Sequence, residues 1–125
     1  MINVSREDFE ELVARAWAEL PPEFVERVDN LAVVVEEWPD PATLEMAKVQ
    51  HPAELLGFYR GVPQTRRTHH YGLIAPDKIS IYRQPILQRC RTLKEVWETV
   101  SHVLRHELAH YFGIGDERLR EIGAY

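Results

Sequence analysis

The chain has 125 residues, enough for one domain, 1–125, built on one hydrophobic core. Its net charge of -5 disfavours nucleic-acid binding as the main role, and no apolar run approaches membrane-spanning length. A single cysteine, Cys90, excludes an internal disulfide and cannot build a thiolate metal site alone; with no basic, apolar leader, the chain is expected in the cytoplasm.

Ser5 reads as an N-cap, with Asp8 three residues on. Phe9, Leu12, Val13, Ala16, Trp17 and Leu20 then recur at helical spacing, giving an amphipathic helix with one core face. Glu7, Asp8, Glu10 and Glu11 crowd its first half, where the helix dipole favours negative charge. Pro21-Pro22 ends this helix, and a short second one is expected from about Pro22 to Val28. Leu31 to Glu36, apolar and β-branched, predicts a strand. Trp38-Pro39-Asp40-Pro41 is a break, with Asp40 placed to cap a short helix starting at Pro41. The stretch from there to Pro52 reads as a surface excursion.

Leu56 to Arg60 predicts a second strand, closed by Gly61 and Pro63. Thr65 to His70 is polar and basic. Its plainer reading is a solvated loop, and its sharper one a loop that borders a cleft and grips a substrate carboxylate or backbone. Tyr71 to Ile74 and Lys78 to Arg83, joined by Ala75-Pro76-Asp77, read as an antiparallel hairpin. Cys90 reads as a half-buried filler near the start of a helix.

Thr92-Leu93-Lys94-Glu95 is a capping box that opens a long helix. Leu93, Val96, Trp97, Val100, Leu104, Leu108 and Tyr111 fall on one arc, and His106 and His110 lie to its side with Glu107 between them. Two histidines four apart point the same way, so their imidazoles can hold one metal ion. Glu107 sits beside that ion, where a carboxylate can take a proton from metal-activated water. Gly113 can adopt a left-handed conformation that stops the helix and turns the chain back. Asp116 then arrives as a third, oxygen ligand. Three protein ligands and one open position describe a catalytic zinc site rather than a closed structural one. His102, one turn before His106, reads as a cleft-wall or surface histidine, and Asp116 to Ile122 as a last short helix.

The run HELAHYFGIGDERLREIG resembles the minimal zincin family, small and mostly bacterial proteins regarded as zinc metallopeptidases. LLGFYRGVP and APDKISIYRQPI resemble the family's two other recurring segments, so the resemblance runs from about Leu31 to the C-terminus. It implies a compact α+β fold in which a small mixed sheet packs on an active-site helix, beside an N-terminal helix. It implies one zinc ion on His106, His110 and Asp116, with Glu107 as catalytic base and a peptide or protein as substrate. In zincins, substrate adds as a strand to the edge of the sheet before the active-site helix. By resemblance, His69 to Ile74 would be that edge here, with His69, His70 and Tyr71 against the substrate. Gly115 and Gln64 depart from the family's usual pattern, which has an acidic residue and a leucine there. The first change gives the ligand turn more freedom.

Two other readings compete. The spacing H-x3-H-x5-D also resembles the three-histidine metal site of a small endoribonuclease family. That family, however, carries a glycine in place of Glu107 and a histidine in place of Asp116. The third reading is a zincin-like module that binds metal without catalysis.

Overall fold

The structure, a computed structural model, describes residues 2–61, 76–115 and 117–118. Helix α1, Arg6–Ala18, starts where Ser5 accepts a hydrogen bond from the Asp8 N–H, a side-chain cap worth about 1 kcal/mol. It buries Phe9, Val13 and Ala16, as its apolar spacing requires. Helix α2 is a single turn, Pro22–Val25. Strand β1 is Leu31–Glu36. Helix α3, Pro41–Ala47, has the expected Asp40 cap, which accepts from the Thr43 N–H at 2.7 Å. One turn of 3-10 helix, Pro52–Glu54, leads into strand β2, Gly57–Arg60. Strand β3 is Asp77–Tyr82, helix α4 Arg83–Arg89 and helix α5 Leu93–Tyr111.

The three strands form one sheet in the order β1-β3-β2, with β1 parallel and β2 antiparallel to β3. The fold is α+β with a small mixed sheet, as expected. The expected hairpin is not: along Lys78–Ile81 both edges of β3 are taken, by β1 and β2. The other run of that reading, 71–74, lies outside the described residues. Asp77, read as part of the turn, is the first residue of β3 and is buried.

Alternation along the strands sorts the two faces of the sheet. Val35, Ile79 and Ile81 point into the main core, where they meet Phe9 and Val13 of α1 and Val96, Val100, Val103 and Leu104 of α5. Glu36, Lys78, Ser80 and Arg60 fall on the other face. There Ser80 donates to Glu36 at 2.6 Å and Arg60 donates to Thr43 of α3 at 2.9 Å, so α3 lies on this face and α1 and α5 on the first. A second cluster at the far end of α5 joins Leu20, Leu108 and Tyr111. Among the described residues, no helix is long and apolar enough to cross a membrane.

Three sequence expectations change. Helix α4 was not foreseen, since Lys78 to Arg83 reads as strand with no helix after it. In the structure Pro85 sits in the first turn, where its missing N–H has no intrahelical partner to lose. Cys90 is fully buried at the end of α4 rather than half-buried. Leu93, assigned to the core arc of α5, is 60% exposed at its first position, and Val103 takes a place in the buried stripe instead.

Candidate metal centre and cleft

Helix α5 is pinned at both ends, and this fixes what it carries. At its start the Thr92 side chain accepts from the Glu95 N–H, while Glu95 accepts from the Thr92 and Arg91 N–H groups. At its end Gly113 has φ 85°, the left-handed conformation expected of it. The Gly113 N–H donates to the His110 carbonyl and the Ile114 N–H to the Ala109 carbonyl, both at 2.9 Å. This 5→2 and 6→1 pair is a Schellman motif, and it ends the helix at Tyr111, one residue after His110. Tyr111 locks the same end: its hydroxyl donates to the Asp29 carbonyl and accepts from the Asp29 N–H, both at 2.8 Å.

His106 and His110 lie one turn apart on α5, and their Nε2 atoms converge to 3.2 Å. Two nitrogens bound to one tetrahedral zinc at ~2.0–2.1 Å stand about 3.3 Å apart. The pair therefore fits the ligand set that the sequence suggests. Both side chains are partly exposed, as an ion with an open position requires.

Glu107, between α5 and β2, is 9% exposed. Its Oε1 accepts the Tyr59 backbone N–H at 2.9 Å, and its Oε2 lies 3.9 Å from His106 Nε2. The Tyr59 N–H is left for Glu107 because an antiparallel strand pairs through alternate residues. Close approach depends on Gly57. A Cβ there would fall 2.5 Å from Val103 Cγ1 and 3.0 Å from the Ser80 carbonyl oxygen. Tyr59 is itself anchored: its hydroxyl donates to buried Asp77 at 2.5 Å, and its ring meets that of Tyr111 edge-on at 6.0 Å.

Sequence reasoning missed this role of β2. The available signal was an isolated glycine opening an aromatic strand, which marks close backbone approach. The strand edge beside Glu107 and the histidines is β2. The edge expected at His69 to Ile74 lies outside the described residues, as do His69, His70, Tyr71 and Asp116 themselves. His102 is exposed, with its ring centroid 6.3 Å from that of His106. Among the described residues, no group of three or more His, Cys, Asp or Glu is placed to hold a metal ion.

The imidazole pair opens on a cleft of ≈ 450 Å³ between α5, β2 and the end of α3, lined by His106, Glu107, His110, Tyr59, Phe58 and Met46 among others. A smaller compartment of ≈ 230 Å³ continues past His106 toward His102 and Val103. A larger groove, ≈ 610 Å³, lies between α1 and the start of α5, away from the histidine pair.

A family model described as zincin-like metallopeptidase matches residues 28–124. Among solved structures, a conserved hypothetical protein from Thermus thermophilus is similar, with 26% sequence identity and a TM-score of 0.58. The similarity covers 87% of this chain and 94% of that one. No curated protein sequence matches the chain.

Proposed function

Since the chain belongs to the zincin-like metallopeptidase family, we propose that it hydrolyses a peptide or amide bond at the His106–His110 pair with zinc as cofactor. The observation that carries this reading is the 3.2 Å approach of the two Nε2 atoms, with the Glu107 carboxylate beside them. His106 and His110 would hold the ion, with Asp116 as third ligand from its place in the sequence. When bound, zinc supplies Lewis-acid polarisation of a carbonyl and acidification of water.

Glu107 acts as general base and then as general acid. The Tyr59 N–H holds Oε1, which sets the carboxylate plane and leaves Oε2 as the oxygen nearer the imidazole pair. Oε2 takes the water proton and delivers it to the leaving nitrogen.

Incubation of the zinc-loaded chain with a mixed peptide library, beside Glu107→Gln, tests the reading. The wild type should produce new peptide termini, and the variant should produce none while retaining zinc. Zinc-loaded wild type that cuts no peptide would favour a metal-binding module without catalysis.

A further inference from the structure

Three parts of the molecule meet at Tyr59. Its N–H donates to Glu107 Oε1 at 2.9 Å, its ring meets Tyr111 edge-on at 6.0 Å, and its hydroxyl donates to Asp77 Oδ2 at 2.5 Å. Tyr111 lies one turn after Glu107 and directly after His110 on α5. Asp77 opens β3, two residues before Ile79, the strand partner of Tyr59, so both side chains lie on the core face of the sheet. A carboxylate is costly to bury where an apolar residue would fill the same space. Asp77 is nonetheless 1% exposed. The chain also makes room for it: a Cβ on Gly61 would fall 2.3 Å from its Cγ and 2.4 Å from its Oδ1. The strand that this carboxylate anchors is four residues long and, among the described strands, pairs with β3 alone. Short edge strands of this kind open locally at low free-energy cost.

We propose that Tyr59 and Asp77 are positioning residues for Glu107: their hydroxyl–carboxylate bond holds β2 where the Tyr59 amide reaches Oε1. The inference rests on the general-base reading of Glu107 above and extends it to a pair outside the metal-binding motif. A tyrosine ring turns on two torsions only, so fixing its far end fixes the backbone it hangs from. The contact with Tyr111 acts on the same ring from the helix, so a shift of β2 is resisted from β3 and from α5 together. When the amide drifts, Oε1 loses its anchor, and Oε2 loses its placement 3.9 Å from His106 Nε2. A proton-transfer group displaced in this way slows the chemical step more than it weakens substrate binding.

The test compares Tyr59→Phe, which removes the bond and keeps ring and amide, with Asp77→Asn, whose amide oxygen can still accept the hydroxyl. Two quantities are read on the full chain: protection of the residue-59 amide against hydrogen exchange without zinc, and kcat and KM with zinc on a peptide that the wild type cuts. Tyr59→Phe should lower that protection about tenfold while the amides of β3 keep theirs. It should lower kcat about ten- to hundredfold at unchanged KM and zinc content. Asp77→Asn should stay within about threefold of wild type in both. Should Tyr59→Phe fail to fold because Asp77 is charged and buried, Tyr59→Phe/Asp77→Asn removes that charge and carries the same expectation. Val13→Ala, a core truncation in α1, should leave kcat of the folded chain unchanged, which separates positioning from loss of stability. Wild-type kcat in Tyr59→Phe, an equal fall in Val13→Ala, or an equal fall in Asp77→Asn overturns the role of this bond. A zinc-loaded wild type that cuts no peptide would instead remove the peptidase reading, and amide exchange alone would then decide whether the pair holds the Tyr59 amide on Glu107.

Discussion

The Glu107 carboxylate accepts its hydrogen bond from the backbone N–H of Tyr59, 48 residues away, at 2.9 Å. An edge strand thus orients the carboxylate that the motif places next to His106. Glutamine keeps a carbonyl oxygen for that N–H but cannot take a proton. Glu107→Gln should leave the thermal midpoint and zinc content near wild type. It should lower the hydrolysis rate by about 10²–10⁴-fold or more. A variant within a few-fold of wild-type kcat would remove Glu107 from the proton path.

Gly57 is where β2 touches α5. Gly57→Ala forces its new methyl onto Val103 and the Ser80 carbonyl, and overpacking of this kind costs about 1–3 kcal/mol. Urea unfolding should show that loss. Adding Val103→Ala should restore part of it, because the tighter contact is with a side chain and only the 3.0 Å approach to Ser80 remains. An unchanged midpoint for Gly57→Ala would mean that β2 can back away from the helix freely.

Much of this arrangement was legible in the sequence because its signals are local. Ser5, Asp40 and Thr92 cap the helices that follow them, and Gly113 ends α5 as its lack of a Cβ allows. The β-branched run of β1 has the bounds read from it. What was not legible depends on distant partners. Lys78 to Arg83 looks like half of a hairpin, yet β3 is the middle strand and its neighbours come from 31–36 and 57–60. Helix α4, which follows β3 directly with no side-chain cap, gives no such local signal at its start. The helical turn that aligns His106 with His110 follows from spacing alone, whereas the amide that holds Glu107 comes from a strand whose register no local pattern fixes.

Lys48 should tolerate loss of its side chain better than its helical neighbours do. Glycine removes the left-handed strain of about 1–2 kcal/mol and returns part of that gain as unfolded-chain entropy. Lys48→Gly should therefore raise stability by about 0.5–1 kcal/mol in chemical denaturation. A clear loss would show that the lysine side chain supports the turn.

Glu37 ties three elements together at one end of the sheet, through Gln84, Arg83 and Arg6. The hydrogen bond from Gln84 is the largest influence on its carboxyl; burial, next in size, pushes the other way, and the hydrogen bond and charge of Arg83 with the charge of Arg6 help hold it below the ordinary value of 4.5. A carboxylate depressed in the folded state stabilises the fold fully above its unfolded pKa, and that contribution disappears as pH falls through the folded value. Glu37→Gln should therefore be less stable than wild type at neutral pH, with the gap closing below about pH 4.5. The side chain is 37% exposed, so solvent screening keeps the gap to about 1 kcal/mol or less. Denaturant midpoints that differ equally at pH 7 and pH 3 would contradict this assignment.

The central claim is that His106 and His110 hold a metal ion, and metal content tests it most directly. Purified wild-type chain, loaded with zinc and freed of excess, should carry about one zinc per chain, and His106→Ala/His110→Ala should carry none while keeping the wild-type far-UV spectrum. Zinc retained by the double variant, or no zinc taken up by the wild type, would contradict it.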